Sequence, residues 1–307
     1  MSIEVITQLA WGAVAPGLLG LIAFLAVWWS RAPARSGAGG RARSIFRAAA
    51  GTAVLAMGYA AMHRLVLGRT AFPPARSDEW FPVAALVFML LAHGVYAPGA
   101  RPLVRWIMMG LLVAAAGWAS ASNLFRTWEA APIVAHLALF AAGATLAVAC
   151  LDGVASSGSQ GAEAQQGNVR GVLALLIFAV GAHQLLTIGC HTMKLGQVPQ
   201  IIGAMCGGAA LVWLFRRGLT FAGGPAATGA AVVCLALFQG VLFTDAPLAW
   251  LYATLAVLSP VCFACAGVLT ARRWPGFKGG LAQSVAAALP ITTGMAVALA
   301  TAGAPEE

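Results

Sequence analysis

Residues 226–243, AATGAAVVCLALFQGVLF, run for eighteen positions without a charged side chain. As a helix, such a run is about 27 Å long, close to the roughly 30 Å hydrocarbon core of a bilayer. It lacks the polar stripe that a surface helix of a soluble protein carries, so it reads as a membrane span. Working outward, the pattern recurs at Leu9–Trp29, Ile45–Leu67, Phe81–Ala97, Leu103–Ala121, Ala131–Leu151, Gly171–Cys190, Ile201–Phe215, Leu248–Thr270 and Leu281–Ala300. Each segment is bounded by charge, Pro or Gly.

The bulk composition agrees. Of 307 residues, 61% are apolar and 9% charged, against roughly 45–50% and 25% in soluble domains. So few charges cannot cover a solvated surface, and so many apolar residues do not belong to a disordered chain. The expected fold class is all-α: one polytopic integral membrane domain over 1–307, with about ten transmembrane helices and short loops. Spans of about 20 residues plus connections use up the chain and leave no extramembrane domain. Residues 1–8 have no basic segment and no small-residue cleavage pattern, so the first run is expected to be a retained span. The six cysteines lie inside apolar runs and do not read as a disulfide framework.

Lysine and arginine orient the chain. Loops after odd-numbered spans hold thirteen of the eighteen, led by Arg31, Arg35, Arg41, Arg43 and Arg47, and the even-numbered loops hold five. Cytoplasmic loops carry the excess, which places both termini outside and suits a bacterial cytoplasmic (inner) membrane. The net charge of +9 is thus an orientation signal and does not call for nucleic acid. Nine of the ten tryptophans fall within a turn or two of a span end, where an amphipathic indole prefers to sit.

Two loops stand out by length. Residues 30–44 are basic and rich in Arg, Gly and Ala, and read as a flexible cytoplasmic loop on anionic headgroups. Residues 153–169 are rich in Ser, Gly and Gln and read as a flexible linker dividing the chain into five spans and five. A faint parallel similarity links His63–Gly68 with His183–Gly189. Two Leu-rich helices resemble each other this much by chance.

The absences narrow the chemistry. All nine acidic residues lie in tails, loops or span ends, whereas ion-coupled pumps usually keep a carboxylate at mid-depth. No Walker A loop, dinucleotide-binding turn, HExxH or Asp-rich diphosphate motif is present, so an enzyme is disfavoured.

The histidines are the main positive feature. His63, His136 and His183 sit at matched depth in the outer half of the membrane. His63 with His136, or His136 with His183, would be the ligands of a haem or chlorin held between helices. The plainer alternative is that each imidazole donates to a carbonyl of a neighbouring helix. Cys190 beside His191 is a candidate metal pair, short of the four ligands a structural site needs. Cys262 and Cys265 form a Cys-x-x-Cys inside an apolar span and read as packing. The outer loop after the second span carries Arg64, Arg69 and Arg76 and offers a contact for an anion or a partner subunit. Its alternative is a solvated loop with internal ion pairs. Gly203 and Gly207 form a GxxxG for close helix packing, and Pro260 and Pro290 kink the last two spans or adjust their packing.

Three functional classes follow. The first is a non-catalytic subunit or scaffold of a larger membrane assembly, with the bilayer and other membrane subunits as partners. The second is a transporter or passive channel for a small or lipid-like solute. The third is a haem- or pigment-binding electron-transfer protein.

Overall fold

The computed structural model describes residues 10–28, 38–68, 72, 74, 76–95, 101–157, 161–215, 221, 224–270 and 277–302. Ten helices are present among them and no strand. They are α1 (Ala10–Trp28, opening with a π-helical turn, Ala10–Val14), α2 (Ala38–Val66), α3 (Trp80–Val95), α4 (Pro102–Phe125) and α5 (Ala130–Ser156). They continue with α6 (Gly161–Gln184, prolonged by a π turn over Leu185–Gly189), α7 (Met193–Phe215), α8 (Pro225–Phe243), α9 (Ala249–Thr270) and α10 (Phe277–Ala302). All but α2 and α3, eight in all, are long and apolar enough to cross a membrane. The protein is therefore an all-α, multi-pass membrane protein. The other two helices depart for visible reasons: α2 carries Arg41, Arg43, Arg47 and Arg64 near its ends, and α3 has 16 residues.

Three boundaries differ from expectation. The linker foreseen at 153–169 is mostly helix: α5 continues to Ser156 and α6 begins at Gly161. Ala, Glu and Gln at 162–166 are good helix formers despite their polarity. Of the basic loop at 30–44, residues 38–44 already belong to α2 and 30–37 lie outside the described residues. Helix α7 begins at Met193 instead of Ile201 and takes Pro199 inside it, buried. Pro removes one backbone donor, a loss tolerated where neighbouring helices cover the freed carbonyl.

Helix α8, the apolar run quoted first, is the axis of the bundle. Every residue from Pro225 to Gly240 is buried, with α2 to α7 and α9 packed around it. Helix α1 lies outside this ring against α7 and α2, and α10 lies against α9 and α6. Lipid supplies no hydrophobic drive between helices, so close approach and dispersion must hold them. The composition of α8 serves that need. A Cβ at Gly229 would meet Leu175 Cδ2 at 2.4 Å, and one at Gly240 would meet Leu186 Cδ2 at 2.3 Å. Phe238 stacks on Phe140 at 4.0 Å between ring centroids.

The C-terminal ends of α2, α4, α6 and α8 share one face, here the even face, and those of the odd-numbered helices the opposite, odd face. Ties between distant residues respect this division. Gln239 reaches Ser77, and Lys194 reaches Asp78, on the even face. Trp106 reaches Asp152 at the odd end.

Candidate functional site

A polar cleft opens on the even face beside α8. A one-turn 3-10 helix, Ser77–Glu79, leads into α3 there, with the Glu79 carboxylate accepting the Arg76 backbone N–H at 3.1 Å. That turn presents Asp78, which pairs with Lys194 at the start of α7 and with Arg76 Nε at 3.3 Å. Burial pushes the Asp78 carboxyl up. The Lys194 hydrogen bond and the positive charges of Lys194 and Arg76 outweigh burial and hold it below the usual carboxylate range. From the core side, Gln239 of α8 donates its Nε2–H to the Ser77 carbonyl at 3.0 Å. Arg76, Asp78, Thr192, Lys194, Gln239 and Phe243 are among the residues lining a cleft of about 400 Å³.

Beneath this cleft lie His63 and Tyr59, one turn apart on the same face of α2. His63 is 2% exposed and Tyr59 0%. The His63 ring contacts Tyr59 at 5.7 Å and Phe81 at 6.3 Å between centroids, and it feels the charges of Asp78 and Lys194. Among the described residues neither ring nitrogen makes a well-formed hydrogen bond, although the Asp78 backbone is near, and the Tyr59 hydroxyl and Gln239 Oε1 also lack partners. Buried polar groups are nearly always paired, and each orphan costs about 1–3 kcal/mol. Four such atoms, from His63, Tyr59 and Gln239 of α2 and α8, gather at this one charged cleft, whereas the others lie singly on Trp28 of α1, Trp213 of α7, Thr228 at the start of α8 and Ser259 of α9.

The other residues singled out by the sequence fall elsewhere. His183 donates Nδ1–H to the Gly196 carbonyl at 2.9 Å, with Thr187 Oγ1 at 3.5 Å, and so ties the π turn of α6 to α7. His136 sits at 2.7 Å from its own helix carbonyl, Pro132, and lies between Trp128 and Trp250 at 5.1 and 5.4 Å. His63, His136 and His183 thus sit on three helices, and no ring contact or hydrogen bond joins two of them among the described residues. His93's side chain and the whole of Arg69 lie outside the described residues. Arg64 is exposed, and Arg76 lines the cleft.

Cys190 is buried while its neighbour His191 is exposed, with φ 51° in the left-handed region. No group of three metal-ligating side chains occurs among the described residues. Cys262 is half-buried and Cys265 exposed on α9.

Sequence reasoning passed over Tyr59, Gln239 and Asp152. Gln239 had a signal, as the single amide in the run that opens this section. Asp152 is 2% exposed inside the bundle, where Oδ2 accepts the Trp106 indole N–H at 3.2 Å. Nothing local in the sequence distinguishes it from a solvated carboxylate at a span end. The chain matches no protein-family model, no curated protein and no solved structure. Its chemistry must be read from its own side chains.

Proposed function

We propose that the protein is a transporter or channel for a small anionic solute, which enters through the cleft of Arg76, Asp78, Lys194 and Gln239 and meets His63 and Tyr59 below. The observation that carries this reading is the set of buried, unpartnered polar atoms directly under a charged opening. An ionisable residue inside a membrane bundle is costly and is kept for work. The groups that line the lip favour an anion, since Arg76 and Lys194 face the cleft with Asp78, while the Glu79 carboxylate is turned back on the Arg76 backbone N–H and is not among the lining residues described. The Gln239 amide and the Tyr59 and His63 side chains can each donate or accept, which suits a solute that sheds water as it descends. A non-catalytic scaffold would gain nothing from such orphans. The subunit reading is accordingly set second. The histidine positions lend a bound haem no support.

The membrane we assign is the bacterial inner membrane, with the odd face in the cytoplasm and the cleft outside, on the ground of the Lys and Arg distribution.

The test is flux. Purified protein in liposomes is challenged with concentration jumps of chloride, phosphate and small carboxylates, and the current is read on a supported membrane. The expected result is a current for at least one anion that falls about tenfold or more in His63→Phe. That substitution keeps an aromatic ring beside Tyr59 and Phe81 but removes both nitrogens. No current with any anion, or equal currents in the two proteins, would overturn the proposal.

A further inference from the structure

A second cleft opens on the odd face, far from the first. It occupies about 470 Å³ between α5, α6, α9 and α10, and its lining includes Gly153, Val154, Ser157, Arg170, Val268 and Gln283. Its walls are apolar for the most part. Gln283, 1% exposed, turns its Nε2–H to Thr270 Oγ1 at 3.3 Å and so serves as a fixed wall. The Ser157 hydroxyl likewise turns to the Val154 carbonyl at 2.7 Å. That leaves Arg170 as the charged group facing the space. Among the described residues no carboxylate pairs with it, and no carboxylate lines the cleft. The nearby Asp152 is turned to Trp106 instead.

A guanidinium at a span end is costly without an anion or water to meet it. Here the walls on either side are hydrocarbon in character, and Val268 at the rim is 78% exposed toward the lipid side of α9. A soluble anion gains nothing from such walls. An amphiphile gains from both. Basic pockets between transmembrane helices on the cytoplasmic side suit anionic headgroups. The odd face is the one that the loop charges assign to the cytoplasm.

We propose that this cleft holds one anionic phospholipid, its phosphate on Arg170 and an acyl chain along Val154 and Val268. The site is separate from the solute cleft and shares with its reading only the assignment of the odd face to the cytoplasm.

Gly153 makes the proposal easy to test. A Cβ there would meet no atom within 4 Å, so the side chain of Gly153→Phe starts into open space beside the cleft that Gly153 lines. Full-length protein, delipidated in neutral detergent, is titrated with phosphatidylglycerol, phosphatidylcholine or inorganic phosphate. Bound lipid is counted by native mass spectrometry and the melting temperature is recorded. One phosphatidylglycerol should be retained per chain, with a rise in melting temperature that neither phosphatidylcholine nor phosphate produces. Arg170→Gln should weaken retention roughly fivefold, and Gly153→Phe should abolish it while circular dichroism and the lipid-free melting temperature stay unchanged. Equal retention of both lipids, or of phosphatidylglycerol by wild type and Gly153→Phe, would overturn the proposal. So would an equal melting shift with inorganic phosphate, which would make the site one for a free anion.

Discussion

Asp78 holds its charge at the lip of an apolar bundle because two cations reach it from different elements, Arg76 two residues away and Lys194 on α7. Its native pKa lies below the ordinary value. The folded state then binds the proton less readily than the unfolded chain does. The stability from this carboxylate is complete above about pH 4, the unfolded value. It is lost as the pH falls through the lower native value. Asp78→Asn should therefore cost roughly 0.5–1 kcal/mol at pH 7, the scale of a pair whose cations stay in contact with water. Below pH 4 the gap between the two proteins should close as the wild type loses the same interaction. Melting curves in detergent at pH 7 and pH 3 decide it. A gap that does not change with pH would mean that the ion pair adds no stability.

At the scale of helices, spacing between backbones decides more than side-chain size. Helix α7 offers two adjacent glycines with opposite surroundings. A Cβ at Gly207 would meet nothing within 4 Å, while one at Gly208 would lie 2.4 Å from the Gly17 carbonyl oxygen and 2.5 Å from the Leu21 nitrogen of α1. The approach is reciprocal, because a Cβ at Gly20 would lie 2.7 Å from the Met205 carbonyl oxygen. Backbone atoms cannot swing aside as a side chain does, so α1 and α7 would have to separate along their contact. Gly208→Ala should cost about 1–3 kcal/mol, as overpacking does, and Gly207→Ala should stay within about 0.5 kcal/mol. Thermal unfolding followed by tryptophan fluorescence compares them. The Gly203–Gly207 spacing was the visible signal for close packing, yet the contact falls on Gly208. Periodicity identifies a helix that packs closely; which residue meets a backbone depends on rotation about the axis, and α1 sets that from almost two hundred residues away.

Across the whole molecule, the ten helices were legible because charge, Pro and Gly punctuate apolar runs. Polar residues misled where they are good helix formers, as at 162–166, or where a buried Pro was taken as a stop, as at Pro199. The candidate site was half legible. His63 stands out as an ionisable group in an apolar run, but its relation to Gln239 and Asp78 depends on contacts such as that between Gln239 and Ser77, 162 residues apart. The same global arrangement gives orientation its consequences. Arg41, Arg43 and Arg47 at the start of α2, with Arg101, Arg105, Arg170 and Lys278, belong to helix ends on the odd face, and Arg64, Arg76, Arg126 and Lys194 to the even face. On the orientation proposed above, from the excess of Lys and Arg in the segments that follow odd-numbered helices, the odd face is cytoplasmic and the end of α10 points outward. Alkaline phosphatase fused after residue 307 should be active, and a green fluorescent protein fused there should be dark. The reverse pattern would invert the assignment of both clefts. The solute would then enter from the cytoplasm, and Arg170 would face an outer leaflet without the cytoplasmic surface charge that favours its proposed lipid.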